Sequence, residues 1–433
     1  LAQIIPFRGY RYDPAIVGKI SDVVTPPYDR VYPDIQETCY QRSPYNIVRI
    51  IKGLAEERDS ERNNVYTRAA EYLDEWMGKG VLIRETEAAV YAYHQTYSFE
   101  GTRLTRKGVV ALGKLEPEKV HAHEKTLKGP KEDRLKLMRA TEANFGHIFM
   151  LYDDPTRATE KVLQAIVENK APLIEAEDAD GNSHQVWRIT DEAVIRVFQA
   201  ALADKDLYIA DGHHRYETAV NFMSECEQHS WQPAAPESFD VRMMTLFNVS
   251  EPGMSIRPIH RLVHGLDGFD ATSFFRAAAE HFDVQTHDSL EMMILAARDG
   301  RQRYTFGCAT GDSFVTLALK DEAIMQELIA SDRSDDYKQL DVTILHGAIL
   351  DRLLGIDAQA VEEQFNVTYT VDAEKGLALV KSGEEQLLFY LNAISPDAVI
   401  RVADHNEKMP QKSTDFYPKL LTGLVLTKME IAK

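Results

Sequence analysis

The chain has 433 residues, 44% of them hydrophobic and 27% charged, and a formal net charge of −19. A length of this order predicts two domains, and the acidic balance argues against broad electrostatic adhesion to DNA or anionic lipid while leaving room for a local basic pocket. No stretch has the roughly 20 apolar residues of a membrane-spanning helix, and residues 1–10 lack the charged-then-apolar order of a secretory leader. Cys39, Cys226 and Cys308 are odd in number and far apart, with no Cys-x-x-Cys. That usage disfavours a structural zinc site or a disulfide framework and fits a reducing cytoplasm.

In chain order, Pro6-Phe-Arg-Gly9 and Thr25-Pro-Pro-Tyr-Asp-Arg30 read as ordered loops, the Pro-Pro pair presenting Tyr28, Asp29 and Arg30 on an extended backbone. A strand is predicted over 47–51. A helix follows with Tyr66, Ala69, Ala70, Leu73, Trp76 and Met77 on one face, closed by Gly78 and Gly80. Strands over 89–97 and 109–115 are joined by a Glu100-Gly101 hairpin turn. After a polar loop come a helix (135–143), a strand (147–152), a helix (158–169) and a strand (184–189). Thr190 is read as the cap of a helix burying Ala193, Val194, Val197, Phe198, Ala201 and Leu202.

Residues 207–210 then form a short apolar strand, Asp211-Gly212 a turn, and Tyr216, Ala219, Val220 and Met223 one face of a helix. The start of a helix offers free N–H groups and a positive dipole end, which suit an anion. Gly212 admits close backbone approach, Arg215 supplies a planar fork for phosphate or carboxylate, and His213 and His214 donate or titrate near neutrality. Asp211, at a strand end, is the candidate metal or catalytic carboxylate. The competing reading is that Asp211 caps the helix and Arg215 pairs with Glu217 or another acid. The adjacent histidines with the arginine favour a phosphate site.

A buried strand is predicted over 241–249. A second region begins near Glu251, with a helix (270–282), a hairpin (303–308 and 313–319), helices over 321–331 and 340–354, a strand (365–370), a helix (373–382) and a strand (386–391). The end of the chain reads as a helix (396–403), a polar loop (409–419) and a final strand (420–426). The expected fold class is α+β, or irregular α/β, with a core over 1–250, a second α+β region over 251–393 and a segment over 394–433 returning to the core.

Other polar clusters carry two readings each. On a strand His121 and His123 would share a face at metal-ligand spacing, or they are surface histidines; Glu124 is a candidate general base. Lys131 and Arg134 at a helix start oppose its dipole unless an anion is bound, or Glu132 and Asp133 satisfy it. Lys412, Ser413, Thr414 and Lys419 could contact phosphate oxygens, without a glycine-rich Walker loop. His260-Arg261 is a site contributor or simply a strand end, the latter favoured. Gly-x-Ser-x-Gly, Gly-x-Gly-x-x-Gly, His-Glu-x-x-His and the kinase signatures are absent from the sequence.

These motifs together, with Ala210-Asp-Gly-His-His-Arg-Tyr-Glu-Thr-Ala219, Gly129-Pro-Lys-Glu-Asp-Arg134 and Pro410-x-Lys-Ser-Thr414, resemble a widespread bacterial and archaeal family known only as a domain of unknown function. More widely, Asp211–Arg215 is similar to the phosphate-binding turn of the ParB and sulfiredoxin superfamily, which includes free-serine kinases. That resemblance implies a ParB/sulfiredoxin-like nucleotide-binding core and a kinase that phosphorylates the hydroxyl of free L-serine with Mg and ADP or ATP. Asp211 would hold magnesium, and Gly212, His213, His214 and Arg215 would grip phosphates. The kinases' glutamate base has no matching position here; Glu124 is the candidate on chemical grounds. The acidic balance disfavours ParB-like DNA binding, and the place of sulfiredoxin's cysteine is held by His213 or His214. The alternatives are a non-catalytic nucleotide switch and a phosphatase or phosphotransferase acting on a phosphorylated metabolite. A homodimer is the candidate assembly, and no membrane partner is expected.

Overall fold

The computed structural model describes residues 3–124, 128–299, 303–323 and 332–433. The chain divides into two compact units, Leu1–Ala122 with Thr126–Ser255 and Pro418–Lys433, and His123–Lys125 with Ile256–Tyr417. The first is organised by a nine-stranded mixed sheet. Its strands are β1 (Ile4–Ile5), β2 (Val90–Phe99), β3 (Thr102–Lys114), β4 (Val120–Ala122), β5 (Ile148–Tyr152), β6 (Ile174–Glu177), β7 (Ser183–Ile189), β8 (Leu207–Asp211) and β9 (Val241–Asn248). They lie in the order β4-β8-β5-β9-β3-β2-β7-β6, with β1 on β3.

The β2–β3 hairpin closes on Glu100 and Gly101, both at positive φ (48° and 76°), which is what a two-residue turn matching strand twist demands. The sheet packs on helices α2 (Lys128–Thr141), α3 (Ala158–Val167), α4 (Glu192–Leu202) and α5 (His213–Gln228), and α1 (Val65–Gly78) packs on α2. Val109, Ile148, Met150 and Leu246 from the strands meet Phe198, Leu202, Ala219 and Phe222 from α4 and α5 in one core. Asn64 opens α1 with a reciprocal capping box to Thr67.

The second unit carries a six-stranded sheet of β10 (His260–Val263), β11 (Phe282–His287), β12 (Thr305–Thr310), β13 (Ser313–Leu319), β14 (Val367–Thr370) and β15 (Leu387–Tyr390), in the order β11-β13-β12-β15-β10-β14. Helices α6 (Ala271–Ala278), α7 (Leu290–Arg298), α8 (Ala373–Ser382) and α9 (Pro396–Asp404) accompany it. Most of the helix expected over 321–331 lies outside the described residues. The mixed α and β content bears out the coarse fold class.

Several local expectations are corrected. Residues 47–51 form a short helix, Val48–Ile51, because the Asn46 side chain accepts the Val48 N–H (3.0 Å) and ties the turn to the Asp22 carbonyl. The helix expected over 135–143 begins at Lys128 and ends at Thr141. The cap of α4 is Asp191, whose carboxylate accepts from Ala193 and Val194, and its inward face is Ile195, Phe198 and Leu202 while Val197 is exposed. Residues 340–354 are not one α-helix: a π-helical turn, Leu345–Asp351, interrupts them. Residues 420–426 make only isolated bridges, Thr422 to Thr25 and Leu426 to Tyr10. Leu420, Leu421, Leu424, Val425 and Leu426 are apolar because they are buried on all sides, and Gly423 at φ 102° breaks the extended path.

Candidate functional site

The site begins at the end of β8. Its register against β5 slips between Ile209 and Asp211, an irregularity of the kind that re-aims a side chain at a sheet edge. Gly212 follows at φ 98° as the first boundary residue of α5. A Cβ there would stand 2.9 to 3.1 Å from the Arg215 guanidinium, so both backbone angle and space require glycine. The cap position is Gly212 rather than Asp211. The Asp211 carboxylate turns to two cations: Oδ2 accepts from Arg215 Nη2 (2.7 Å) and Oδ1 from Lys419 Nζ (3.1 Å).

Arg215 is buried, and its Nη1 donates to the His147 carbonyl. Lys419 is held by its backbone. Its carbonyl accepts from Gln95 Nε2 (3.0 Å), and the Pro418 carbonyl accepts from the buried Arg106 of the hairpin. Burial alone would raise the Asp211 carboxyl, but Lys419, Arg215 and Arg30 outweigh it and hold the group well below the usual carboxylate range. Asp211 is therefore a permanent anion and a weak base. His213 is buried at the first position of α5, and the partly exposed His214 accepts at its carbonyl from the Thr218 hydroxyl (2.6 Å).

Lys131, on α2, donates to Glu217 of α5 (2.9 Å), the pairing that the competing reading had given to Arg215. Arg134 donates to Asp133 and the Ile51 carbonyl (2.7 Å) and lies over the Tyr28 ring at 4.2 Å. Burial, and then Asp29, push the Tyr28 hydroxyl up to about 12. Arg134, Arg215 and Tyr28 share a cavity of about 50 Å³ that also exposes Arg242, Thr218 and Thr422. None of those last three was singled out from the sequence. The signal available was Arg242 itself, the only charged residue in the apolar run 241–249.

Glu124, Lys412, Ser413 and Thr414 fall in the second unit. Glu124 accepts the Lys412 N–H (3.4 Å), Ser413 Oγ donates to the Pro410 carbonyl (2.5 Å), and His123 Nε2 meets Thr414 Oγ1 (3.1 Å). These contacts shape a local loop cluster. His121 and His123 do not form a pair on one strand, because β4 stops at Ala122. His121 stacks on Tyr208 at 5.0 Å and faces Asp206. Among the described residues no group of three or more His, Cys, Asp or Glu could hold a metal. A magnesium ion on Asp211 would compete with Lys419 and Arg215 for both oxygens, so the protein alone offers it a poor fit. The three cysteines are free and buried, and no helix among the described residues is long and apolar enough to cross a membrane.

A family model described as a protein of unknown function (DUF1015) matches residues 4–343, and the chain belongs to that family. No curated protein matches it. Among solved structures, a conserved hypothetical protein from Pyrococcus furiosus is similar at 13% identity and a TM-score of 0.35, over 74% of this chain and 95% of its own. A free serine kinase in complex with AMP is similar at 12% identity and a TM-score of 0.34, over 71% and 86%. SbnI with a C-terminal truncation, from Staphylococcus aureus, is similar at 10% identity and a TM-score of 0.35, over 72% and 85%. Likenesses this loose assign neither a fold nor an activity.

Proposed function

Because the family has no assigned activity, we propose a reading that rests on the site: a nucleotide-dependent small-molecule kinase, with free L-serine as acceptor and ADP or ATP as donor. The observation that carries it is the opening of α5. A long helix starts on a positive-φ glycine, with the Lys419 ammonium held on the neighbouring carboxylate. A helix N-terminus with its positive dipole end, a bare glycine and a fixed cation are what a phosphate chain requires.

Phosphoryl transfer asks chiefly for positioning and charge neutralisation. The turn N–H groups and Lys419 would hold the donor phosphates, with Arg215 keeping Asp211 and the turn in place and His213 and His214 donating to phosphate oxygens. The serine hydroxyl oxygen forms the new bond to the terminal phosphorus as the bridging oxygen leaves with the nucleotide. The hydroxyl proton needs a base that Asp211 cannot be, since its carboxyl is held too far down. Lys131 and Arg134 are proposed as further phosphate contacts. Magnesium would arrive on the nucleotide phosphates and neutralise their charge.

The weak basicity of Asp211 favours one second reading, a nucleotide switch without turnover. A thermal-shift panel of ADP, ATP, CTP and pyrophosphate with magnesium, each with and without L-serine, separates the two. A ligand at a hundredfold its Kd stabilises the native state by about 2.7 kcal/mol. A nucleotide shift enlarged by serine, with phosphoserine formed, supports the kinase. A shift indifferent to serine, without turnover, supports the switch. No shift with any of the four overturns the phosphate reading of the turn.

A further inference from the structure

Arg242 lies on β9 at 4% exposure, inside the first unit, and the apolar strand leaves it little to bind. Its Nη2 makes a 3.5 Å contact with the Gly146 carbonyl, at the outer limit of a hydrogen bond, and its buried Nε and Nη1 have no acceptor among the described residues. The two other arginines of the same cavity are provided for: Arg215 by Asp211 and the His147 carbonyl, Arg134 by Asp133 and the Ile51 carbonyl. Among the described residues no carboxylate pairs with Arg242. Burial, reinforced by the Arg215 charge, lowers its guanidinium to about 9, which still leaves it a cation at neutral pH. A buried cation without a partner is among the costliest arrangements a fold can carry. It persists where something else supplies the anion.

We infer that the cavity beside Arg242 is a binding site for a small oxyanion, the carboxylate or phosphoryl group of a metabolite. Its volume of about 50 Å³ suits a group of that size, and Thr218 and Thr422 line it with the guanidinium. Gly146 keeps it open, since a Cβ there would stand 3.3 Å from both Arg215 Nη1 and Thr422 Oγ1. Leu137 and Phe145 in the wall suit a ligand whose charged head bears a short apolar group. This site stands on the charge of Arg242 and does not depend on phosphoryl transfer at the α5 turn.

Calorimetric titration of the full chain with inorganic phosphate, and separately with acetate and butyrate, tests it. Saturable binding is expected, and the site that remains in Lys419→Met should be weakened at least tenfold by Arg242→Met. The tighter of the two anion classes identifies the source of the oxyanion. Arg242→Met should also melt no lower than wild type in buffer free of oxyanions, because an apolar side chain replaces an uncompensated charge. If that variant does not fold, Arg242→Lys, which keeps the charge but loses the planar fork, should still weaken binding. Absence of saturable binding by wild type, or equal affinity in the folded Arg242 variant, overturns the inference. Loss of nucleotide binding in Lys419→Met with retention of the small anion tells the two sites apart.

Discussion

Arg215 of the first unit and Arg261 of the second are both buried guanidinium groups beside a strand end, and they are satisfied by opposite means. Arg215 meets a carboxylate, Asp211, and one carbonyl. Among the described residues Arg261, at 1% exposure, meets only neutral groups: the Ile259 carbonyl, the Gln411 carbonyl (3.3 Å) and His346 Nε2 (3.2 Å). Burial lowers Arg261 to about 10, and His346 is pushed well below its usual value by burial and the Arg261 charge, so the ring stays neutral and accepts. The first arrangement makes a charge pair that a ligand can compete for. The second makes a polar strut with no exchangeable anion.

The largest expected effect separates these two. Asp211→Ala leaves Arg215 and Lys419 without their anion and should cost about 3–5 kcal/mol, read as a lower urea midpoint. Arg261→Met removes a buried charge along with its hydrogen bonds and should cost only about 1–2 kcal/mol. Equal losses would show that the carboxylate adds nothing to the first site.

Acid should act next. His147 and His260 are lowered to about 4, by burial first and then by neighbouring arginines. Their folded values lie below the unfolded ~6.5, so the unfolded chain takes up protons first. The stability they confer is complete above about pH 6.5 and falls as the pH drops toward 4, by on the order of 3 kcal/mol for each. Asp211 also has a depressed folded value, but its contribution is lost only below the unfolded ~3.9. Melting temperatures between pH 7 and 4 should therefore fall in wild type, and less steeply in His147→Gln. A flat profile to pH 4 would contradict the buried neutral histidines.

Gly212→Ala should cost about 1–2 kcal/mol, from a Cβ at positive φ and against Arg215, and should weaken nucleotide binding tenfold or more. The smallest effect is expected at Lys131, whose bond to Glu217 is partly exposed on both sides. Lys131→Ala should change stability by less than about 1 kcal/mol. A tenfold loss of nucleotide affinity in that variant would make Lys131 a phosphate contact, and no loss would leave it a link between α2 and α5.

The sequence by itself determined the elements whose signal is local. Helical spacing at Tyr216, Ala219, Val220 and Met223, alternation beside Glu100-Gly101, and the turn at Asp211-Gly212 all act within a few residues, and each element formed there. The mostly apolar and buried runs 47–51 and 420–426 misled, because a short apolar run lacks the periodicity that tells helix from strand. Only the tertiary structure decided which charges meet. Lys419 reaches Asp211 across 208 residues of chain, and Arg242 joins Arg134 and Arg215 at one cavity through sheet order. Electrostatic pairing depends on distance in space and on burial, and neither quantity is carried by spacing along the chain.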